Sequence, residues 1–385
     1  MDREQAKQVL RQQHIETPSW AFGNSGTRFK VFAQAGIPRN AFEKIDDAAV
    51  VNRLTGVAPS VALHIPWDRV ADYRALAEYA KDQGISIGAI NPNVFQEDEY
   101  MLGSVCNPDE AIRRKATDHL LECVEIGKQT GSRIMSLWFA DGTNYFGQDN
   151  FRQRQDRLHE ALATMYAAMT PQMRMLIEYK LFEPAFYHMD LPDWGTSLLH
   201  CQELGPQAQV LVDTGHHAPS TNIEFIVASL LRAGRLGGFH FNSRNYADDD
   251  LMVGAADPFG LFRIMFEIVQ ADALIGDVEF MLDQCHNIEP KIPAIIRSIM
   301  NVQEASAKAL LVDQDALAKA QASGDVLGAH EIVMDAYSTD VRPLLRELRE
   351  DMGIDPDPLS AYWNSGYHEK IAAERKDGQA AGWGA

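Results

Sequence analysis

Short apolar runs alternate with longer stretches of helical periodicity over most of the chain. The runs are rich in β-branched and aromatic residues, and the stretches between them repeat apolar residues every three or four positions. The pattern predicts eight strands, at Ser19–Phe22, Val61–Trp67, Ile85–Val94, Arg133–Ala140, Met173–Tyr179, Gln209–Asp213, Gly237–Asn242 and Val278–Asp283. It predicts helices at 2–14, Asp72–Gln83, Pro108–Thr130, Phe151–Ala168, Thr196–Leu204, Ile223–Ala233 and Phe259–Gln270.

The regular alternation of strand and helix predicts an α/β fold with parallel strands. Eight such units within about 270 residues favour a (β/α)8 TIM barrel over an open sheet. No glycine-rich nucleotide or P-loop motif follows a predicted strand. From residue 293 the sequence is rich in Ala, Leu, Gln and Asp and carries no strand signal. We therefore predict a catalytic barrel over 1–292 and a C-terminal helical extension over 293–385 that contacts another subunit.

Composition and charge exclude several classes of protein. Hydrophobic residues make up 46% and charged residues 23%, which excludes a mainly disordered or fibrous chain. The 54 acidic residues outnumber the 35 basic ones, and a net charge of −19 disfavours nucleic acid and anionic membranes as partners. The four cysteines form no CxxC pair, and no signal-peptide pattern or membrane-length apolar run is visible. We expect a cytoplasmic protein.

Ligand-type residues end the last four predicted strands. Glu178, Asp213, His240 and Asp283 come from successive strands, whose carboxyl ends face one mouth in a barrel. Burying such groups costs several kcal/mol unless they are neutralised. Three carboxylates and one imidazole suit Mn²⁺, Mg²⁺ or Co²⁺. We predict a divalent metal site there, although a single strand-end Asp is more often a helix cap or turn former.

Three further residues predict a second ion beside the first. His216 lies three residues beyond Asp213, and Asp248 and Asp250 flank one residue. Taken alone, the acidic stretch is more typical of a solvated loop, and a single histidine is more typical of a core residue whose hydrogen bonds are satisfied.

The predicted mouth also has an aromatic side, with Trp20, His64, Trp67 and Trp138 in or after its strands. Aromatic rings beside polar groups suit a sugar, whose C–H faces pack on rings. The alternative is that these residues are only core.

Motifs spread over about residues 15–290 resemble the L-rhamnose isomerase family, in its broad-specificity bacterial branch. That family belongs to the xylose-isomerase-like superfamily of TIM barrels. The motifs are WAFGNSGTRF, LHIPWD, SLWFADG, IEYKLFEPAFYH, VDTGHHAPSTNIE, GFHFNSRNYADDDLMVG and FMLDQCHN.

The resemblance implies a role for each of these residues. It implies a structural metal held by Glu178, Asp213, His240 and Asp283 and a catalytic metal held by His216, Asp248 and Asp250. It implies that Lys180 faces the substrate, that His64 contacts the ring-oxygen side of the sugar, and that Trp20, Trp67 and Trp138 wall the pocket. Glu178 and His216 are then expected to contact the substrate as well. It further implies a homotetramer in which a loop near Phe29 and Phe32 reaches a neighbouring site.

The implied activity is aldose–ketose isomerisation of L-rhamnose to L-rhamnulose, with D-allose and D-psicose as further candidates. Two divalent ions are expected, Mn²⁺ first, with Co²⁺ and Mg²⁺ as alternatives. Most carboxylates of the motifs are committed as ligands, which favours a metal-mediated 1,2-hydride shift over a proton relay. Lys180, His64, Asp248 and Asp250 are the expected catalytic residues, and Asp68 is a candidate partner of His64 in ring opening. The alternative is another activity of the superfamily, such as a sugar 3-epimerase, although epimerases typically use two opposed glutamates and the last strand ends in Asp283.

Overall fold

Eight parallel strands close into a barrel in which each strand pairs with its neighbours in sequence order. The computed structural model describes residues 1–27, 29–183, 186–285 and 287–376. The last strand pairs with the first through Ile15 and Phe280, which closes the ring. The strands are β1 (Ile15–Pro18), β2 (Ser60–Ile65), β3 (Ser86–Pro92), β4 (Ile134–Leu137), β5 (Arg174–Glu178), β6 (Ala208–Asp213), β7 (Leu236–Phe241) and β8 (Glu279–Leu282). The predicted TIM barrel is confirmed.

The prediction of a strand at Ser19–Phe22 is wrong. Those residues form one turn of 3-10 helix, and the first strand is the preceding Ile15–Pro18. Thr17 and Pro18 pair with β2, so these four residues complete the barrel between β8 and β2. Pro18 has no N–H to extend the ladder, and the chain turns directly after it. The other seven predicted strands are present, with ends displaced by up to three residues.

Helices cover the outside of the barrel and continue beyond its last strand. They are α1 (Arg3–Leu10), α2 (Ala41–Thr55), α3 (Tyr73–Asp82), α4 (Glu110–Thr130), α5 (Phe151–Ala168), α6 (Trp194–Leu204), α7 (Ile223–Arg232), α8 (Pro258–Gln270), α9 (Lys291–Leu310), α10 (Gln314–Ser323), α11 (Val326–Ser338), α12 (Arg342–Asp351), α13 (Pro358–Asn364) and α14 (Tyr367–Glu374). Helix α2 was not predicted. It buries Lys44 and Asp47 together with its apolar residues, which obscures the amphipathic pattern.

Helix α9 follows β8 and packs against both α8 and α2, the place of an eighth barrel helix. Helices α1, α11, α12 and α13 contact α9 in turn. The domain boundary at 292/293 and the subunit contacts of the extension stay predictions, and residues 377–385 of the extension lie outside the described residues. Within the described chain, no helix combines the length and apolar character needed to cross a membrane.

Asparagine and aspartate caps begin the barrel helices α2 to α8. In each, the side chain of the residue before the first turn accepts a backbone N–H that has no partner inside the helix. The capping residues are Asn40, Asp72, Asp109, Asn150, Asp193, Asn222 and Asp257. Each capping residue therefore marks the end of a loop that begins at the carboxyl end of a barrel strand. These aspartates and asparagines serve as helix caps and are distinct from the acidic residues that line the mouth of the barrel.

A buried ion pair ties the loop after β5 to α5. Arg154 is 1% exposed, and its Nε and Nη2 donate to the two oxygens of Asp190 at 2.9 and 2.7 Å. Asp190 follows a two-residue strand, His188–Met189, that pairs with Gly142–Thr143. The backbone N–H of Lys180 donates to Leu191 O at 2.9 Å in the same loop. The pair therefore supports the segment that carries Lys180.

We predict that Asp190→Ala lowers the free energy of unfolding by about 3–5 kcal/mol, because Arg154 would keep a buried charge without its main partner. Urea denaturation measures the change. Glu110→Ala is the control, since the Glu110–Arg114 pair is about 70% exposed on both sides, and it is expected to change stability by about 0.5 kcal/mol or less. Equal effects of the two substitutions would contradict the prediction.

Candidate active site

The carboxyl ends of the barrel strands surround a pocket with a polar floor and an aromatic wall. Its wall is formed by Trp20, Trp67, Phe95 and Trp138, with His64 between them. Its floor and remaining side are formed by Glu178, Lys180, His216, His240, Asp248, Asp250 and Asp283. Every predicted site residue except Asp213 lines this pocket, and Asp213 lies buried at the end of β6 beneath it. Residues from all eight strands and the loops after them thus meet in one place.

The first group of candidate ligands is Glu178, Asp213, His240 and Asp283, whose ligand atoms all lie within 4.8 Å of one another. His240 Nδ1 lies 3.1 Å from Glu178 Oε2 and 3.3 Å from Asp283 Oδ2. It is nevertheless a buried atom with no hydrogen-bond partner in the described chain. Neighbouring ligands of an octahedral ion at about 2.1 Å are about 3 Å apart. The three atoms therefore have the spacing of metal ligands.

A second group joins Asp213 to His216 and Asp248, again with ligand atoms within 4.8 Å. His216 Nε2 lies 3.1 Å from Asp248 Oδ1, which is buried and has no hydrogen-bond partner among the described residues. Asp213 belongs to both groups, so its carboxylate lies between two candidate cation positions. Asp250, predicted as a ligand here, lines the same pocket but is not in this group. The ligand roles of all seven residues stay predictions.

The electrostatics of the site show a shortage of positive charge. Burial opposes charge on the imidazoles, but Glu178 raises the pKa of His240, and Asp213 and Asp248 raise that of His216, well above the usual range. Burial raises the pKa of Asp213 to about 7. Burial, followed by the charge of Asp248, raises the pKa of Asp250 well above its usual range. Protons and cations therefore compete for the same lone pairs of these side chains.

Hydrogen bonds from neighbouring groups orient the acidic side chains. Asn242 Nδ2 donates to both oxygens of Asp213 at 3.0 and 3.1 Å, and the Gly215 N–H donates to Oδ1 at 2.6 Å. Trp20 Nε1 donates to Asp283 Oδ1 at 2.8 Å. Such contacts hold a ligand in the geometry that a metal requires. Asn242 was not predicted as a site residue, although its place directly after β7 is the signal that marks the other residues.

Lys180 is a buried cation between two carboxylates. Its Nζ donates to Glu183 Oε2 and to Asp248 Oδ2, both at 2.6 Å, and lies 5.1 Å from the centre of the Trp138 ring. Burial would lower the pKa of Lys180, but Asp248 and Glu183 raise it above the ordinary lysine value. The ammonium group therefore stays charged and keeps a third N–H for a ligand in the pocket. Glu183 was not predicted because a residue five positions beyond the end of β5 carries no distinctive signal.

His64 forms part of the aromatic wall as a neutral imidazole. Its ring stacks on Trp67 with centroids 3.9 Å apart, and Trp20 meets it edge-on at 5.4 Å. Burial, with a contribution from Lys44, lowers the pKa of His64 well below 6.5. Its Nδ1 is buried with no partner among the residues the structure describes.

Asp68 does not pair with the imidazole of His64 as sequence analysis suggested. The carboxylate accepts the backbone N–H of His64 at 2.7 Å, the Ser19 hydroxyl, and Lys44 Nζ at 2.5 Å. Lys44 and Asp68 are both almost fully buried. Asp68 therefore joins α2 and the turn after β1 to the end of β2, and its part in the site is to support the strand end that carries His64.

Asp250 has an unusual backbone conformation for a residue with a side chain. Its φ of 46° lies in the left-handed region, which an aspartate adopts at some cost in free energy. The Asp250 carbonyl accepts the Cys285 N–H at 3.3 Å, which links the loop after β7 to the end of β8. This conformation places Asp250 on the pocket wall two residues beyond Asp248. Strain of this kind is often found at functional sites.

Solved structures of two sugar epimerases have a fold similar to this one. The structure of L-ribulose 3-epimerase is similar to this fold with a TM-score of 0.53 and 16% identity, over 84% of this chain and 97% of that one. A D-psicose 3-epimerase structure gives a TM-score of 0.54 at 12% identity, over 77% and 97%. At these identities the likeness concerns the fold alone.

Proteins with related sequences identify the family to which this chain belongs. A probable sugar isomerase of Rhizobium meliloti (strain 1021) is 46% identical over 94% of this chain and 86% of its own length. A probable sugar isomerase of Mesorhizobium japonicum is 44% identical over the same shares. The model of the L-rhamnose isomerase (RhaA) family matches residues 68–349. The resemblance predicted from the motifs is confirmed, and the chain belongs to the L-rhamnose isomerase (RhaA) family of sugar isomerases.

Proposed function

We propose that this protein is a metal-dependent aldose–ketose isomerase that interconverts L-rhamnose and L-rhamnulose, with D-allose and D-psicose as further substrates. The observation that carries the proposal is the pair of ligand groups that share Asp213 below an aromatic pocket wall. A sugar bound in this pocket would direct its hydroxyls toward the polar side and its C–H groups toward the rings.

Two divalent cations per subunit fit the residues present, Mn²⁺ first and Co²⁺ or Mg²⁺ as alternatives. The set is rich in oxygen, with five carboxylates and two imidazoles, which suits these ions better than a soft metal. Glu178, Asp213, His240 and Asp283 would hold one, and His216, Asp248 and Asp250 the other, with Asp213 within reach of both. When bound, such cations polarise the C1 and C2 oxygens of an open-chain sugar and stabilise the negative charge that develops there.

Three side chains would act directly on the sugar. The ammonium group of Lys180 has an unused N–H that can donate to the carbonyl oxygen, where a preformed donor in a dry site is most effective. The neutral imidazole of His64 can bond to the ring-oxygen side and orient the sugar for ring opening. Asp250 lines the pocket two residues beyond Asp248, where its carboxylate would help to move the hydroxyl proton that must pass between O1 and O2.

The hydrogen on C2 would move to C1 as a hydride. A proton route needs a free base beside C2, but at least one oxygen of each of three carboxylates at the site already accepts a hydrogen bond: Asp248 from Lys180, Asp283 from Trp20, and Asp213 from Asn242. His64 is neutral, yet its low pKa makes it a weak base. An epimerase would need two acid–base groups on opposite sides of one carbon. Glu178 Oε2 and Asp283 Oδ2 instead both lie close to one atom, His240 Nδ1, at 3.1 and 3.3 Å.

A homotetramer and a cytoplasmic location stay predictions. The hairpin Ser25–Thr27 and Lys30–Phe32 supports a role in assembly, because Phe29 is 82% and Phe32 43% exposed. This hairpin lines a groove that continues to Asp248 and Asp250, so a neighbouring subunit placed there would lie close to the pocket.

Reconstitution with Mn²⁺ is expected to yield ketose from L-rhamnose, and Asp213→Asn is expected to lower the rate more than about 100-fold, because both cation positions lose a shared ligand. Ketose formation and elemental analysis of bound manganese are measured together. Asp249→Asn is the matched control, since the Asp249 carboxylate accepts N–H groups of its own loop. Treatment with EDTA should abolish activity. An epimerised sugar as the product, or full activity after EDTA, would overturn the proposal.

Mn²⁺ affinity is expected to rise with pH between about 6 and 8. The raised pKa values of His216 and His240, and the pKa of Asp213 near 7, mean that binding displaces protons. Each displaced proton makes binding about tenfold tighter per pH unit. Calorimetry in two buffers of different ionisation enthalpy counts these protons. An affinity that does not change over this range would show that the ligands are already deprotonated.

Deuterium at C2 of L-rhamnose is expected at C1 of the ketose, with negligible loss to water, because a hydride shift never exposes the hydrogen to solvent. NMR of the product formed in H2O measures the retained label, and incubation of the labelled ketose with EDTA-treated enzyme controls for exchange outside the site. Substantial washout of deuterium would instead establish a proton route and refute the hydride shift.

A further inference from the structure

Two histidines and a glutamate meet on the outside of the barrel, away from the pocket. His159 lies on α5, and His200 and Glu203 lie one turn apart on α6. One ligand atom from each lies within 4.8 Å of the other two. None of the three lines the active-site pocket. The side chains of His159 and Glu203 are 33% and 65% exposed, so the group is open to solvent on one side.

The spacing of these atoms matches a tetrahedral metal site. His159 Nδ1 lies 3.2 Å from His200 Nδ1 and 3.5 Å from Glu203 Oε2. Ligands at about 2.1 Å from a tetrahedral ion are about 3.4 Å apart. The remaining position would be open to water. A hydrogen bond between the two histidines is the simpler alternative for the shorter distance.

Gln155 determines which nitrogen of His200 is free to bind. Gln155 Nε2 donates to Asp190 O at 2.7 Å, so its Oε1 is the atom that faces His200 Nε2 at 3.0 Å. His200 Nε2 must therefore carry the proton, and Nδ1 keeps its lone pair toward His159 and Glu203. A ligand histidine commonly donates its other N–H to an oxygen in this way.

A second cluster outside the pocket lacks these properties. Cys106, Asp141 and Asp190 also lie within ligand distance of one another. Asp190 is engaged by Arg154, however, and Asp141 accepts the N–H groups of Ser104 and Cys106 at 2.8 and 2.7 Å. The carboxylate lone pairs of this cluster accept hydrogen bonds from a guanidinium and from backbone N–H groups, whereas the group that faces His200 Nδ1 and Glu203 Oε2 is His159, itself a member of the proposed site.

We propose that His159, His200 and Glu203 form a Zn²⁺ site distinct from the active site. Two imidazoles and one carboxylate are a set that binds Zn²⁺, and their nitrogen content separates them from the oxygen-rich pocket. The bound ion would connect α5 to α6. These helices lie on either side of β5, the strand that ends in Glu178, so the site would brace the part of the barrel that supports the pocket.

Zinc binding to the Mn²⁺-loaded enzyme tests this assignment. The enzyme is dialysed against increasing Zn²⁺, and zinc and manganese per chain are measured by elemental analysis. The unmodified protein is expected to hold one more zinc than His159→Asn at the same free concentration. Zinc that replaces manganese in the pocket lowers the manganese content equally in both proteins and cancels in the comparison. Unchanged activity of His159→Asn with Mn²⁺ shows that the variant is folded.

Two further variants make the test specific. Gln155→Leu removes the acceptor for His200 Nε2–H and is expected to weaken zinc binding about 10–100-fold without removing a ligand. His330→Asn, an exposed histidine on α11, is expected to leave zinc binding unchanged. Equal zinc in the unmodified protein and His159→Asn would mean that the histidines only hydrogen bond to each other, and an equal loss in His330→Asn would mean nonspecific surface binding. Either result refutes the site.

Discussion

Mutual repulsion among acidic side chains in one buried mouth is the constraint on which the rest of this structure depends. Glu178, Asp213, Asp248, Asp250 and Asp283 come from four strands and their loops, and Lys180 is the one lysine or arginine among the residues that line the pocket. Removing such charges from water costs several kcal/mol each unless an opposite charge is close. In the structure the two imidazoles lie against these carboxylates, and burial raises the pKa of Asp213 to about 7 and that of Asp250 well above its usual range. Divalent cations would relieve this cost and would use the lone pairs already directed to the centre.

Hydrogen bonds from the surrounding residues orient the ligand side chains but leave some of their lone pairs unused. Asn242 and the Gly215 N–H hold Asp213, Trp20 holds Asp283, and Lys180 takes only one oxygen of Asp248. The other Asp248 oxygen and His240 Nδ1 stay buried without a hydrogen bond in the described chain. A protein gains nothing in stability from leaving such atoms unpaired. Their presence is more consistent with a site shaped for a ligand than with a core shaped for its own stability.

The pocket and the group of His159, His200 and Glu203 differ in ligand type, in burial and in their aromatic neighbours. The pocket has more oxygen than nitrogen ligands, is largely buried, and lies under aromatic rings that can hold a sugar. The group of His159, His200 and Glu203 has more nitrogen, is open to water, and has no aromatic wall suited to a substrate. The first arrangement suits reaction with a bound molecule, and the second suits a connection between helices.

The sequence by itself determined the barrel and most of its mouth. Strand–helix alternation is a local property, and residues at strand ends such as Glu178, Asp213, His240 and Asp283 must meet once parallel strands close, so their convergence was predictable. Ser19–Phe22 was mistaken for a strand because its composition is that of one, and only the pairing of Ile15 with Phe280 decides which segment closes the ring. Asp68 lies four residues from His64, yet its charge is balanced by Lys44 from α2, a helix whose buried charges hid its pattern. The sharing of Asp213 between two groups, and the meeting of His159 with His200, depend on distances between separate elements, which only tertiary packing decides.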